Sequence, residues 1–573
     1  MLREKNWVLL RKGGDFSAIS KKFGISERIA ALLRNRELVT DEEISAYLQG
    51  TIDDLPDGST CADMEKAVDI LSLKIKQGKK IRIIGDYDID GVNATYVYLR
   101  VLSALGAVVD YAIPHRMTDG YGLNIELVKS AINAKVDTIL TCDNGIAAKS
   151  EIEFAKEAGL TVIVTDHHEV PFGHLPQGDA IVDSKRPDCP YPFKGLCGTA
   201  IAWKLANLLA NKYLESKTIS NLLDSLIENV AIATIGDVMD LNGENRILVK
   251  EGLKRLQNTN NLGLRALIKE TGLEGHEIRA YHIGFVLGPC INASGRLESA
   301  QMALELLLSD SNEEAQRMAA ELKSLNDSRK NMTDLALDEA FPIACELVEK
   351  GDKVLVIYLP QCHESLAGIV AGRIRESFYR PVFVLTDGEE GIKGSGRSIE
   401  SYHMFEGISA CADLLDKFGG HAQAAGLSMK RENLTDFRKR INDNCNLTDE
   451  DLKEKIKIDM VLPFSAVNES FIKEIELLAP FGKGNRKPVF ACRNVRLKSL
   501  RVFGENRNVI IMQLTDENDC QVEGIMFGEH RELEAKKAST DKEILMDILF
   551  EPAIKEYNGR KSLQIKLQEY RIK

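Results

Sequence analysis

Three short segments in the first half of the chain place acids and imidazoles directly behind apolar runs suited to buried strands. IRIIG runs into Asp86-Tyr87-Asp88-Ile89-Asp90-Gly91, DTILTC into Asp143-Asn144-Gly145, and VIVT into Asp166-His167-His168. In an open parallel sheet, residues just past the carboxyl ends of the strands converge on one crevice, so these segments can share a site. Asp237, in ATIGDVMDL, follows a helix-like stretch and could close the cluster. Carboxylates with one or two imidazoles suit Mn2+ or Mg2+ better than structural zinc, which favours thiolates or a closed four-ligand set. Two divalent ions about 3.5–4 Å apart stabilise both the entering and the leaving oxygen of a phosphoryl displacement. The chemistry these residues point to is phosphoester hydrolysis.

Simpler readings compete. A lone aspartate after a strand is more often a helix cap or turn former than a ligand. Five acids and two adjacent histidines behind successive strands, with Asp237 as a sixth acid, are hard to explain by capping alone. DYDIDG also matches the first six positions of a calcium-binding EF-hand loop, but position twelve is Val97 and the motif follows a strand rather than a helix.

Farther along, Ser395 and Arg397 in KGSGRS can donate several hydrogen bonds to phosphate oxygens, the guanidinium bidentately. FGGHAQAAG, with Gly419, Gly420 and His421, places backbone N–H groups and an imidazole where a phosphate or nucleotide could sit, although a glycine cluster alone is more often a tight turn. Arg116 and Arg296 are further phosphate candidates against the alternative of surface ion pairs. Tyr121, between two glycines, could stack on a base or simply flank a turn. Arg493, Arg496, Lys498, Arg501, Phe503 and Arg507 interleave basic and aromatic groups along strand-like sequence, which suits a single-strand track or an ordinary solvated face.

The elements that must position these residues follow from patterning. At 573 residues, 44% hydrophobic and 28% charged, the chain is too long for one core. Helical patterning over 1–59 reads as an N-terminal extension packed on the next domain. From 60 to 300, strand runs alternate with amphipathic helices, the signature of a mostly parallel sheet covered by helices. Residues 301–350 are rich in Glu, Lys, Ala and Leu and read as a long connecting helix. A second, smaller α/β unit occupies 351–450, 451–488 is a linker, and the short strands of 489–573 suit a β-barrel, which periodicity alone does not separate from a sandwich. Eleven scattered cysteines without a CxxC pair argue for a reducing compartment. No apolar run approaches the length of a membrane span, and the start of the chain lacks a signal-peptide pattern, so a soluble, cytoplasmic protein with no membrane partner is expected. The net charge of −12 excludes a wholly basic nucleic-acid binder but not a positive groove on an acidic body.

With Asp86-Tyr87-Asp88-Ile89-Asp90-Gly91, Asp143-Asn144-Gly145 and Asp166-His167-His168 in this order, the sequence resembles the DHH phosphoesterase superfamily. Pro114-His115-Arg116, Gly120-Tyr121-Gly122-Leu123, Gly236-Asp237, Gly288-Pro289, Asn292-Ala293-Ser294-Gly295-Arg296, Ser395-Gly396-Arg397-Ser398, Gly419-Gly420-His421 and Pro480-Phe481-Gly482-Lys483-Gly484-Asn485 narrow the resemblance to the RecJ family. It covers about 60 to 490. The resemblance implies a DHH domain at 60–300, a DHHA1 domain at 351–450 and a C-terminal OB-fold. It also implies degradation of single-stranded DNA from the 5′ end to mononucleotides, serving recombination and repair, often beside a helicase and a single-strand-binding protein. Family metal ligands carry over to Asp88, Asp90, Asp143, His167 and Asp237. Asp86 and Asp166 become carboxylates that orient ligands or coordinate directly, and His168 faces the scissile phosphate. One departure stands out: Glu364-Ser365-Leu366-Ala367-Gly368 replaces a segment where many relatives carry a proline and an extra glycine.

Two alternatives remain open at this stage. A small-substrate DHH enzyme, an oligoribonuclease or a 3′-phosphonucleotide phosphatase, shares the two central domains but is typically shorter. A catalytically dead scaffold would have no reason to hold so many mutually repelling carboxylates.

Overall fold

The computed structural model describes residues 5–573 apart from 117–118, 172–173, 214–216, 389–390, 505–506, 529, 541 and 558–559. The acid-bearing segments leave one five-stranded, wholly parallel sheet in the order Val108–Ala112, Lys80–Ile84, Thr138–Thr141, Thr161–Thr165, Ala180–Val182. Its inner strands are buried along almost their whole length, as continuous apolar runs under helices on both faces require. From the strand Lys80–Ile84 the chain first moves to one side, to Val108–Ala112, and then to the other, to Thr138–Thr141. The strand order therefore reverses between Lys80–Ile84 and Thr138–Thr141, and a crevice opens outside their carboxyl ends.

The helix Asn312–Glu349, 38 residues long and capped by the Ser311 side chain, leads from this domain to the second. There a five-stranded sheet runs Lys417–Gly420, Ala424–Met429, Gly391–Arg397, Val382–Gly388, Leu355–Tyr358, with only the last pair parallel. In the C-terminal region, Phe490–Phe503, Val509–Thr515, Gln521–Phe527, Arg560–Ile572 and Ile544–Tyr557 close into a five-stranded barrel, because Phe490–Phe503 pairs with Ile544–Tyr557 as well as with Val509–Thr515. The architecture is thus α/β, with a parallel-sheet domain, a long helix, a smaller α/β domain and an OB-type barrel. Among the described residues no helix is long and apolar enough to cross a membrane.

The end of the N-terminal segment, at Ile52 and Leu55, packs on the next domain as expected, while the strand and helices before it pack elsewhere. Strand Asn6–Leu9 pairs in parallel with Lys455–Ile458, and Ile29, Leu32, Leu33 and Ile44 share one core with Phe471, Phe490 and Phe550 of the C-terminal region. Amphipathic patterning announced an apolar face on these helices; which apolar surface covers it is a tertiary matter. Contact with the parallel-sheet domain comes through Ile52 and Leu55, which pack on its core, and through Arg246, whose guanidinium donates to the carbonyls of Tyr47, Leu478 and Leu477.

Candidate active site

Each strand-end segment of the parallel sheet turns its acids into the crevice by a local device. Asp88 caps the helix Ile89–Ala104, its Oδ1 accepting from the backbone N–H of Asp90 (2.9 Å) and of Gly91 (3.1 Å). The capping alternative is therefore real for Asp88 and leaves its other oxygen for the cluster. A Cβ on Gly91 would stand 2.5 Å from the backbone of Asp86, so only glycine lets the helix start this close to the strand end. Asp143 holds a left-handed φ of 62°, unusual for a residue other than glycine. Asn144 fixes that turn by donating to the carbonyls of Ile84 (3.0 Å) and Cys142 (2.9 Å) and accepting from the Leu123 N–H (3.1 Å). Asp237 follows the last turn of the helix Ile227–Gly236.

The cluster these devices assemble is buried and acidic. Nε2 of His167 lies 3.0 Å from Asp143 Oδ1, 3.5 Å from Asp90 Oδ2 and 3.6 Å from Asp237 Oδ2. Potential ligand atoms of Asp86, Asp88 and Asp143 all fall within 4.8 Å of one another, as do those of Asp90, His167 and Asp237, and those of Asp143, His167 and His168. Both oxygens of Asp86 and Oδ1 of Asp143 are buried without a hydrogen-bond partner among the described residues. Burial, then the adjacent Asp88, pushes the Asp86 carboxyl well above the usual range; burial, then Asp90, does the same to Asp143 and Asp237. Burial also holds His167 down at about 4, so its imidazole is neutral at physiological pH. Orphaned oxygens, crowded carboxyls and a neutral imidazole are a donor set that fits hard divalent cations, whose charge would remove the mutual repulsion.

Asp166 behaves differently from its neighbours. Its Oδ2 accepts from the Ile146 N–H (2.9 Å), and its Oδ1 accepts from the His167 N–H (2.7 Å) and lies 2.7 Å from His168 Nδ1. Burial alone would raise its carboxyl, but the hydrogen bond and charge of His168 hold it below the usual range. Conversely His168, though burial opposes it, is raised to about 9 by Asp166. The Tyr121 hydroxyl donates to the Asp143 carbonyl (2.8 Å) and sits 3.2 Å from His168 Nε2, so this tyrosine frames the cluster from a half-exposed position.

A second group of predicted residues gathers beside the first from three separate segments. Arg116 lies over the Tyr87 ring at 5.0 Å, and Arg296 donates to the Ser365 carbonyl at 2.9 Å. Burial and the neighbouring charges of Arg116, Arg329 and Arg397 hold Arg296 down at about 10, while Asp88 pulls the other way. Arg296 thus stands between the acidic cluster and the second domain. There Arg397 donates to Ser395 Oγ (3.2 Å), and a Cβ on Gly368 would meet Arg397 Nη2 at 2.8 Å and Ser395 Oγ at 2.9 Å. The Ala367-Gly368 departure in sequence therefore keeps the glycine that this pair needs. Strand register sets Ser395 opposite Gly426, and Gly426 opposite Gly419, so Gly419 and Gly420 lie two strands away on the exposed edge, with His421 just beyond.

Sequence reasoning missed three contributors. The backbone N–H groups of Gly198 and Thr199, at the start of the helix Gly198–Tyr213, donate to the two oxygens of Asp90 at 2.6 and 2.7 Å. Oδ1 of Asn292 accepts from the Ile89 N–H at 2.9 Å. Asp183, directly after the strand Ala180–Val182, is buried and pushed up to about 7 by that burial. Asp183 carried a readable signal, the same strand-then-aspartate pattern as its neighbours, and Asn292 lay in a segment quoted for the family resemblance but was given no role.

Comparison with known proteins follows the same layout. The family models "DHH family, N-terminal domain", "DHHA1 domain" and "RecJ OB domain" match residues 80–234, 351–447 and 458–569. The chain is 37% identical to the single-stranded-DNA-specific exonuclease RecJ of Bacillus subtilis, over 99% of this chain and 71% of that one. Identity to the protein of the same name from Haemophilus influenzae is 32%, over 93% of this chain and 94% of the relative. The chain belongs to the RecJ family. A crystal structure of RecJ from Thermus thermophilus in complex with Mn2+ superposes with a TM-score of 0.84 at 28% identity, covering 99% of this chain and 79% of that one. Both RecJ relatives and this RecJ structure span all three matched domains.

Proposed function

We propose that the chain is a single-stranded-DNA-specific exonuclease that removes mononucleotides from the 5′ end by two-metal-ion phosphodiester hydrolysis, in DNA recombination and repair. The observation that carries the reading is the buried, unpartnered oxygens of Asp86 and Asp143 inside a carboxylate–imidazole cluster flanked by Arg116, Arg296 and Arg397. RecJ relatives of that named specificity and a RecJ structure with Mn2+ support it. Asp88, Asp90, Asp143, His167 and Asp237 would hold Mn2+ or Mg2+, and the triplet Asp86–Asp88–Asp143, one of the three, favours direct coordination by Asp86 as well. When bound, the ions supply Lewis acidity at the entering and leaving oxygens.

The chain's own residues divide the remaining work. Ser395, Arg397, Arg116 and Arg296 hold the terminal phosphate by charge-assisted hydrogen bonds, with Gly419, Gly420 and His421 on the same side. His168, kept protonated by Asp166, donates to the scissile phosphate, and Asp166 fixes its orientation. Tyr121 packs against the first nucleotide. Water adds to phosphorus, the bond to the 3′ oxygen breaks, and the shortened strand keeps a 5′ phosphate that the same pocket can hold again. The domain bounds given above belong to this reading, with the helices of 16–49 joined to the barrel. So do a cytoplasmic location and a helicase and a single-strand-binding protein as partners that expose the strand. Incubation with 5′- and 3′-labelled strands and Mn2+ or Mg2+ tests it: release of the 5′ label as mononucleotide is expected. Loss of the 3′ label first, or hydrolysis of dinucleotides alone, overturns it.

A further inference from the structure

Behind the acidic cluster, two buried side-chain amides face each other across a helix interface that is otherwise apolar. Asn93 and Asn229 are both buried, and their neighbours in the chain, Val92, Ala94 and Val230, belong to one hydrophobic core. The Asn229 Nδ2 donates to the Asn93 Oδ1 at 2.8 Å, and the Asn93 Nδ2 donates in turn to the Ile89 carbonyl at 2.6 Å. A carbonyl can only accept, so Ile89 fixes which way the Asn93 amide points, and the Asn93 oxygen then fixes which end of Asn229 meets it. Burying an amide is costly unless it is paired, a requirement that two apolar side chains would not carry. Buried polar groups between helices are best attested as devices that set register.

The two helices joined in this way carry ligand candidates at their ends. Helix Ile89–Ala104 begins with Asp88 as its cap and Asp90 in its first turn, and helix Ile227–Gly236 ends at Asp237. Asp90 and Asp237 share a ligand triplet with His167, whereas Asp88 shares one with Asp86 and Asp143. Ile89 stands between the two sets and is held from three directions. Its N–H donates to Asn292 Oδ1 at 2.9 Å, its carbonyl accepts from Asn93, and its side chain lies 2.6 Å from where a Cβ on Gly236 would stand. The contacts close a ring: Ile89 to Asn93 along the first helix, Asn93 to Asn229 across the interface, Asn229 to Gly236 along the second helix, and Gly236 back to Ile89. Asn93 is three residues past Asp90, about 4.5 Å along the axis, and Asn229 eight before Asp237, about 12 Å. A slide or turn of either helix at the amide pair is therefore carried to a ligand carboxylate.

We propose that Asn93 and Asn229 are positioning residues that fix Asp88 and Asp90 against Asp237, and so hold the two ligand sets in the register that a pair of divalent ions needs. They act through the Ile89 peptide and the two helix ends. Apolar packing tolerates small shifts between helices, whereas a chain of two amide hydrogen bonds ending on one backbone carbonyl has a single good geometry. Groups that stand behind metal ligands and orient them typically account for about 10–100-fold in metal affinity or activity. This inference rests on the proposed two-metal reading.

The test uses full-length Asn93→Ala, Asn229→Ala and the double variant, with Asn229→Leu, which fills the space with an apolar side chain, where an alanine variant does not fold. Mn2+ binding is followed by calorimetry without substrate, electron paramagnetic resonance reads whether two bound Mn2+ ions are coupled, and urea unfolding without metal reads stability. Each single variant should raise the dissociation constant of at least one Mn2+ ion about 10-fold or more and replace the coupled-pair signal by that of isolated ions. In turnover, kcat should fall while KM for the strand stays unchanged. The double variant should lose no more metal affinity than the worse single one, because the two amides act as a unit. Unchanged Mn2+ constants and spectrum overturn the proposal, and a lowered urea midpoint beside them assigns the pair to stability alone. Losses that multiply in the double variant overturn it as well, since the residues would then act separately. Should the wild-type protein bind fewer than two Mn2+ ions, the two-metal reading fails and the positioning role with it; two ions held equally well by wild type and variants overturn the positioning role alone.

Discussion

The Arg246 guanidinium lies 3.7 Å from the centre of the Tyr47 ring, and its Nε donates to the Tyr47 carbonyl at 2.9 Å. Nη1 and Nη2 donate to Leu478 and Leu477, so one buried side chain ties the N-terminal helices, the parallel-sheet domain and the segment before the barrel. Arg246→Met removes those donors and should cost about 2–4 kcal/mol. Arg246→Lys should recover little, because an ammonium cannot span three carbonyls in one plane. Urea unfolding reads the loss, and an unchanged midpoint would contradict the tie.

Asp143→Ala or His167→Ala should abolish hydrolysis with the fold retained, as each removes a ligand atom from the candidate metal pair. The same variants should lose stabilisation by Mn2+, which at 100 times its dissociation constant adds about 2.7 kcal/mol to a protein that binds it only when folded. Thermal unfolding with and without Mn2+ measures this independently of turnover. Near-wild-type turnover by either variant would sink the assignment.

Arg397→Ala should selectively slow degradation of 5′-phosphorylated strands, since a lost charge-assisted hydrogen bond costs about 1.5–3 kcal/mol. The comparison is with unphosphorylated strands of the same sequence. Equal slowing of both would place the terminal-phosphate pocket elsewhere.

Removing residues from 490 onward is a natural way to ask whether the barrel grips long strands, but it would also strip the partner surface from Ile29, Leu32, Leu33 and Ile44. Substitutions of exposed residues avoid that. Arg493, Lys498, Arg501 and Phe503 are exposed along the strand Phe490–Phe503, whereas Arg496 and Arg507 are already paired with Asp519 and Glu534. Arg493→Ser, Lys498→Ser and Arg501→Ser together should raise KM for long strands over dinucleotides and lower the salt slope by about 2, at ~0.7 per phosphate contact on a single strand. An unchanged slope means the strand passes elsewhere.

Glu228, buried on the helix Ile227–Gly236, is pushed up to about 7 by that burial, although Thr259 donates to it at 2.8 Å. A carboxyl raised in the folded state favours folding below its unfolded value near 4.5, and that contribution is lost as pH rises through about 7. Glu228→Gln, which keeps an acceptor for Thr259, should therefore leave stability nearly unchanged at pH 4 and raise it by about 1–3 kcal/mol at pH 8. Denaturant unfolding at the two pH values checks the sign; equal effects at both would contradict it.

The strand-end acids were legible in sequence because their signal is local. A buried strand announces itself by an apolar run, and parallel strands must point their carboxyl ends the same way, so Asp86, Asp143, Asp166 and His167 could be assigned to one crevice without coordinates. A long helix within 301–350 and the strands of 489–573 were local for the same reason, whereas the break that makes Gln301–Leu308 a separate helix and the closure of the strands into a barrel were not. Long-range packing decided the rest. Nothing near Asp90 in the chain tells that Gly198 and Thr199 will donate to it, and nothing near Arg116 tells that Arg296 and Arg397 will crowd beside it. Amphipathic helices at 16–49 carry an apolar face but no address, and the barrel rather than the parallel-sheet domain covers it. Periodicity fixes which side of an element is buried; the burying partner is chosen by shape and by hydrogen bonds between segments hundreds of residues apart, such as Arg246 to Leu478.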